Sequence, residues 1–393
     1  MRTAICNGVL LTPYRAEHGG VLIEDGRILS LFPDEPPQAD LVLDAGGRYI
    51  SPGFIDIHTH GGGGAEYEDG TPEAYERAGK FHMRRGATTI YPTITSSEDT
   101  ELFAAMDAFR TVKREMRGGP DFPGLHLEGP YFSYEERGAQ DPRFLRDPSP
   151  EHYMPILERY GDVIARWSSA PELPGALELG DELRRRGILC AIGHSNATYQ
   201  QVVPAFEHGY THVTHLYSGC SLLRRINAFR YLGVVESAFL IDGMTVEIIA
   251  DGCHLPPELL KLILKCKSMD SISLVTDSMR CAGEPDGAVS RLGSAANGQD
   301  VVIEDGVAKL PDRSCFAGSI ATTDRLVRTM VQKAGVPVVD AVRMITANPA
   351  AVMGISSRKG SLTPGKDADI CVFDGGINMR YVLVGGELTV DAE

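Results

Sequence analysis

The sequence predicts an α/β protein: a TIM-like (β/α)8 barrel with a small β-sandwich domain formed by both chain termini. Two observations predict it. Through the middle of the chain, short apolar runs of strand length alternate with amphipathic stretches of helical period. In addition, metal-type or acid/base residues close several of those runs, the layout found at the carboxyl-end mouth of such a barrel.

Taken in order, residues 1–50 read as strands. Ala4-Ile5-Cys6, Gly20 to Glu24 and Arg27 to Leu31 are short apolar runs, and Asp25-Gly26 is a hairpin signal. Barrel strands fall at about 53–57, 87–91, 123–128, 163–168, 188–193, 210–214, 245–250 and 271–276. Helices are predicted over 72–85, 98–117, 176–186, 197–208 and 256–267. A Gly-rich stretch to about 310, with hairpin signals at Asp286-Gly287 and Asp305-Gly306, reads as an excursion off the barrel, and helices over 324–334 and 338–347 then close it. The last strands, 369–373 and 379–384 onward, are too short to bury a core alone. They are expected to pair with the first ones, giving a domain of 1–52 and 355–393 beside a catalytic barrel of 53–354.

Composition narrows the class. A chain of 393 residues, 43% hydrophobic and 23% charged, can bury a large core. A net charge of −15 argues against nucleic acid or an anionic membrane as partner. No apolar run approaches the ~18 residues of a membrane span, and the first residues read as a strand rather than a signal peptide. The eight cysteines are scattered without a C-x-x-C pair, the pattern of reduced thiols in a cytoplasmic protein. Cys281 is expected to pack or line the site rather than act as a nucleophile.

His58 and His60 end the first barrel run, Ile55-Asp56-Ile57-His58-Thr59-His60, and period 2 puts both imidazoles on one face. The bland alternative is a pair of exposed turn histidines. The run Gly61 to Gly64 behind them would let backbone approach a ligand closely. Glu128 closes Gly124-Leu125-His126-Leu127, where a buried carboxylate is costly unless paired or ligating. His194 and His215 end successive strands, and Asp277 ends the eighth. Amide hydrolysis needs a nucleophile, an activated carbonyl and a proton for the leaving amine. A divalent metal serves the first two needs and a nearby carboxylate, here Asp277, the third. His254 is expected to touch substrate, while Arg224 and Arg225 are an oxyanion clamp or simply a solvated basic pair. His126 and His212, deeper in their strands, read as core histidines.

With these pieces in this order the chain resembles the amidohydrolase superfamily, and within it the N-acetylglucosamine-6-phosphate deacetylases. The matching stretches are Pro52-Gly53-Phe54-Ile55-Asp56-Ile57-His58-Thr59-His60-Gly61, His126-Leu127-Glu128-Gly129-Pro130, Gly193-His194-Ser195-Asn196-Ala197 and Thr214-His215-Leu216-Tyr217. Ile249 to His254, Val275-Thr276-Asp277-Ser278, Ala317-Gly318-Ser319 and Lys359 to Asp369 complete the set.

The resemblance implies that Glu128, His194 and His215 hold a zinc-type divalent metal and that Asp277 is general base, then acid. It has His254 touching the sugar. Because His58 and His60 are both present, one or two Zn2+ ions are expected, with Glu128 bridging. A small-molecule N-acetyl amino-sugar phosphate, N-acetylglucosamine 6-phosphate first, is the implied substrate, and a homodimer the implied assembly. Ser218-Gly219 stands where the family has a substrate-contacting Asn-Ala, and Gln140 where many members have His. The family's phosphate-reaching Arg has only Arg224 or Arg225 nearby. Another acetylated sugar, an N-acyl amino acid or a cyclic amide is the alternative substrate, and a non-catalytic sugar-phosphate binder the alternative class.

Overall fold

Asp25 and Gly26 adopt positive φ (48° and 78°), the backbone a two-residue hairpin needs, and join strands Ala16–Glu24 and Arg27–Phe32. The structure, a computed structural model, describes residues 1–33 and 35–392. Strands from both chain ends share one sheet. Its order runs Glu387–Asp391, Met379–Val384, Ile370–Phe373, Tyr49–Pro52, Arg2–Leu11, Ala16–Glu24 and Arg27–Phe32, with Leu41–Asp44 pairing Arg2–Leu11 off the main path. The link between the ends is antiparallel, Ile50 opposite Val372. Ile5, Val21 and Ile50 from one end interleave with Ile370, Val372 and Leu383 from the other in one buried cluster, so neither end has a core without its counterpart.

Eight parallel strands build the barrel in sequence order: Phe54–Thr59, Ala87–Ile94, Leu125–Glu128, Ile164–Ser169, Leu189–Ile192, Tyr210–Val213, Thr245–Ile248 and Ile272–Leu274. The outer ring includes Pro72–Met83, Asp99–Glu115, Pro150–Tyr160, Ala176–Arg186, Tyr199–Glu207, Val234–Leu240 and Pro257–Cys266. Every residue of the first strand is buried, as a strand covered on both faces must be. The seam between the first and eighth strands is closed by the loop that follows the eighth. Asp277 N donates to His58 O at 2.9 Å, and Ser278 O accepts from the N–H groups of His60 (2.8 Å) and Gly61 (2.9 Å).

Two expectations are corrected. The helix expected over 338–347 is broken into Val338–Arg343 and Ala347–Val352. The carbonyls of Met344 and Ile345 turn away to accept from Leu274 N and Ile55 N, tying this segment to the floor of the barrel. In the excursion, Asp286-Gly287 leads into the first strand instead of forming a hairpin. The three-stranded sheet Val289–Leu292, Gln299–Glu304 and Val307–Lys309 turns at 293–298 and, as expected, at Asp305-Gly306.

The terminal sheet is fastened to the barrel through Lys359. Its ammonium, almost fully buried, reaches the carboxylates of Asp369 (2.5 Å), Asp121 (3.1 Å) and Asp367 (3.4 Å). Among the described residues, no helix is long and apolar enough to cross a membrane.

Candidate active site

The reactive strand ends converge at the barrel mouth, and three of them depart from ordinary strand backbone. His194, His215 and Asp277 have φ of 46°, 29° and 47°, a left-handed conformation that costs energy for residues with a side chain. That kink carries each side chain off the line of its strand and inward. Sequence patterning gives no sign of it.

Glu128 Oε1 lies 2.9 Å from His215 Nε2 and 3.2 Å from His194 Nε2, and those two nitrogens are 3.2 Å apart. Donor atoms at zinc distance on a tetrahedron sit roughly 3.3 Å from one another, so this triad matches the spacing of a cation site. A second triad adjoins it. Asp277 Oδ1 is 3.1 Å from His60 Nε2 and 3.3 Å from His58 Nε2. Glu128 stands between the two, with Oε2 3.4 Å from His60 Nε2 and Oε1 3.6 Å from His58 Nε2. All six side chains are buried, and among the described residues His58 Nε2 has no hydrogen-bond partner, which a buried nitrogen seldom tolerates without a ligand.

The electrostatics have the same character. Burial alone would raise the Glu128 carboxyl, yet His58, His194 and His215 hold it well below the usual range. Asp277 behaves alike: burial opposes its charge, but His58 and His60 keep its pKa low. Burial works against a charged His60 as well, and the bond to Asp277 with the nearby Glu128 carboxylate outweighs it, raising the imidazole to about 9. Two buried carboxylates are thus drawing positive charge toward themselves, a demand that a divalent cation satisfies.

The triads floor a cleft of about 240 Å³ lined also by Thr95, Gly138, Gln140, Ser218, Gly219, His254, Leu292, Phe316 and Gly318. Gln140 does more than line it. Its Nε2 donates to Glu128 Oε2 at 3.0 Å, and its Oε1 accepts from Thr95 Oγ1 at 2.6 Å. Ser218 and Gly219 line the cleft. A Cβ on Gly219 would meet His194 Nδ1 at 2.6 Å, so a larger residue there would push against the His194 ring. His254 is oriented by Asp251 (Nδ1 to Oδ2, 2.8 Å) and faces the Phe316 ring, centroids 4.8 Å apart.

Neither Arg224 nor Arg225 lines this cleft. Arg224 donates to the Asn196 side chain and, at 2.8 Å, to its carbonyl. Arg225 is exposed on a two-stranded ribbon, Arg224–Ile226 with Phe229–Tyr231, directly opposite Arg230. His126 and His212 are satisfied within the barrel, by Thr93 and Ser168 and by Thr245 and Glu247. Burial pushes the Cys281 thiol up to about 12, and it packs with Met279, Val301 and Ile303. The glycine run approaches protein rather than ligand: a Cβ on Gly62 would lie 2.5 Å from the Phe81 ring. Leu292, on the excursion, and Phe316, just beyond it and bridged to Lys309, are apolar residues that the sequence did not single out.

The geometry has close counterparts. N-acetylgalactosamine-6-phosphate deacetylase of Escherichia coli O157:H7 is 31% identical over 368 residues, covering 93% of each chain. N-acetylglucosamine-6-phosphate deacetylase of Danio rerio is 31% identical, covering 98% of this chain and 96% of its own. Among solved structures, the N-acetylglucosamine-6-phosphate deacetylase of Pasteurella multocida superposes with a TM-score of 0.90 at 28% identity, covering 99% of both chains. That of Mycobacterium smegmatis gives 0.89 at 30%, covering 99% of this chain and all of that one. The amidohydrolase family model matches residues 49–391, nearly the entire length. The chain belongs to the amidohydrolase family.

Proposed function

We infer that this chain is a metal-dependent hydrolase that removes the acetyl group from an N-acetylated amino-sugar phosphate, N-acetylglucosamine 6-phosphate foremost. The observation that carries the reading is the meeting of Glu128, His194 and His215 within ligand distance, with Asp277 beside them. The full-length relatives, named as deacetylases of N-acetyl amino-sugar phosphates, support it.

Glu128, His194 and His215 would hold one divalent cation, Zn2+ by its preference for imidazole and carboxylate, and His58, His60 and Asp277 a second, with Glu128 between them. A cation held there lowers the pKa of water and polarises a carbonyl oxygen. Asp277 lines the cleft, where its carboxylate can accept the proton of the attacking water and return it to the departing nitrogen. His254, held by Asp251, presents its other ring nitrogen to the sugar or the acetyl oxygen. Leu292 and Phe316 cover the cleft with apolar surface and limit bulk water at the reacting bond. Acetate and the free amino sugar are the products.

The same reading makes the protein a cytoplasmic homodimer. All eight cysteines are free thiols. The ribbon bearing Arg225 exposes Leu222, Leu223, Ile226 and Phe229, an apolar patch that a second copy would bury while carrying Arg225 toward a substrate phosphate.

Acetate release is the test. The purified protein loaded with Zn2+ is given N-acetylglucosamine 6-phosphate, N-acetylgalactosamine 6-phosphate and the unphosphorylated sugars. Turnover of a 6-phosphate in preference to its free sugar supports the reading. Tight binding of the sugar phosphates with no acetate released points instead to a non-catalytic binder, and release only from N-acyl amino acids overturns the substrate class.

A further inference from the structure

We propose that Glu247 fixes the second cation position, the one bounded by His58, His60 and Asp277, and so lets the centre hold two ions. The inference rests on the metal-dependent reading above and adds a residue that never reaches the cleft. Glu247 lies on the seventh barrel strand, fully buried behind the ligands.

Its Oε1 is 2.6 Å from Nδ1 of His58. Accepting there places the ring proton on Nδ1. The Nε2 lone pair is then left facing Asp277 Oδ1 at 3.3 Å and Glu128 Oε1 at 3.6 Å. The same Oε1 accepts the backbone N–H of His215 at 3.1 Å, and the Glu247 carbonyl accepts Leu216 N at 2.8 Å. One side chain therefore holds a ligand of the second triad and steadies the left-handed backbone of a ligand of the first.

Arg166 allows a carboxylate to be kept in this place. Its Nη1 donates to Glu247 Oε2 at 2.5 Å and to Ile57 O at 3.2 Å, and its Nη2 donates to Thr214 Oγ1 at 2.8 Å. Both residues are fully buried, and without each other each would be an uncompensated charge in the barrel core. The other imidazoles lack such an anchor. Among the described residues, His60 Nδ1 and His215 Nδ1 have no hydrogen-bond partner, and His194 Nδ1 meets the Glu136 carbonyl at 2.9 Å. Among the described residues, His58 is the one candidate ligand histidine whose Nδ1 meets a charged group, so losing Glu247 falls first on the position His58 serves. Outer partners of this type are worth roughly 10–100-fold in metal affinity.

A plain structural role, Glu247 as counter-ion of Arg166, predicts lower stability with no selectivity between the two ions. Wild-type protein and Glu247→Gln are stripped with a chelator and titrated with Zn2+ and with Co2+, reading bound metal per chain and the cobalt absorption bands. Two ions are expected in the wild type. In Glu247→Gln the amide oxygen can still accept the His215 N–H, so the first ion should bind with unchanged affinity, while the second, whose His58 loses a charged partner, should bind about 10–100-fold more weakly with its cobalt band lost or shifted. Should that variant not fold, Arg166→Met/Glu247→Leu removes both charges together and is titrated in its place. Ser169→Ala, a buried change whose hydroxyl bonds to Tyr210 Oη and to neither triad, is the control. Two ions at wild-type affinity, or an equal loss of both, overturns the role of Glu247 and leaves the deacetylase reading standing. One ion or none in the wild type removes the two-ion centre itself, and the proposal with it.

Discussion

Nε2 of His60 lies 3.1 Å from Oδ1 of Asp277, although 217 residues separate them along the chain. The two stand on either side of the seam where the barrel closes, so the site is complete only when the last strand meets the first. A carboxylate so placed sees both triads and the open cleft.

Replacing Asp277 with Asn keeps the shape and removes the proposed proton acceptor. The turnover number should fall by about 10²–10⁴, the usual worth of a positioned acid/base group, while the ion held by Glu128, His194 and His215 is retained. Acetate release and metal analysis on the same sample check this; full activity in the variant would exclude Asp277 as the base.

Glu128 touches both triads, so Glu128→Gln should cost more metal than a change in any single histidine. Removing the metal from the wild type should abolish turnover and lower Tm, because a ligand that binds only the folded state stabilises it by mass action. Added Zn2+ should restore both in the wild type and neither in Glu128→Gln. Calorimetry with and without chelator gives the comparison.

Burial pushes His82 down to about 4, against the hydrogen bond it donates to Gly61 O at 2.7 Å. The folded state therefore binds this proton less readily than the unfolded chain, whose histidine titrates near 6.5. Stability should be lost as pH falls from about 6.5 toward 4, by up to about 3 kcal/mol from this group. His82→Gln should flatten that slope. Urea midpoints measured across the interval decide the point, and an unchanged slope would rule His82 out.

Phe316, just beyond the excursion, covers His254. Truncation in Phe316→Ala should raise KM by about five- to tenfold, the equivalent of roughly 1 kcal/mol of aromatic contact, with a smaller effect on kcat. Steady-state kinetics on the 6-phosphate substrate separate the two constants.

Lys359→Met would leave Asp369 buried without its cation. The expected loss is about 3–5 kcal/mol of stability, with kcat per folded molecule unchanged, since Lys359 lies between the terminal sheet and the barrel rather than at the mouth. Denaturant unfolding beside active-site titration tests both halves.

The strand ends were legible because each reactive side chain finishes an apolar run, and such a run can end in a costly buried group only where something binds it. Glu128, His194, His215 and Asp277 announced themselves in that way, and the alternation of runs gave the barrel. What the sequence concealed depends on contacts between distant elements. Glu247 sits inside an apolar strand and reads as an anomaly until Arg166 is seen beside it. Leu292 and Phe316 are ordinary apolar residues until the excursion folds back. The basic pair Arg224-Arg225 looked like a unit, yet strand alternation sends the two side chains to different places: Arg224 to Asn196, Arg225 to solvent.

The pairing of Tyr49–Pro52 with Ile370–Phe373 also bears on how the chain is made. On the ribosome, the segment leading directly into His58 and His60 waits for its neighbour until the strand Ile370–Phe373 has emerged. Removing Ile370–Phe373, even while sparing every residue of the two triads, would strand that edge and expose a template for self-association.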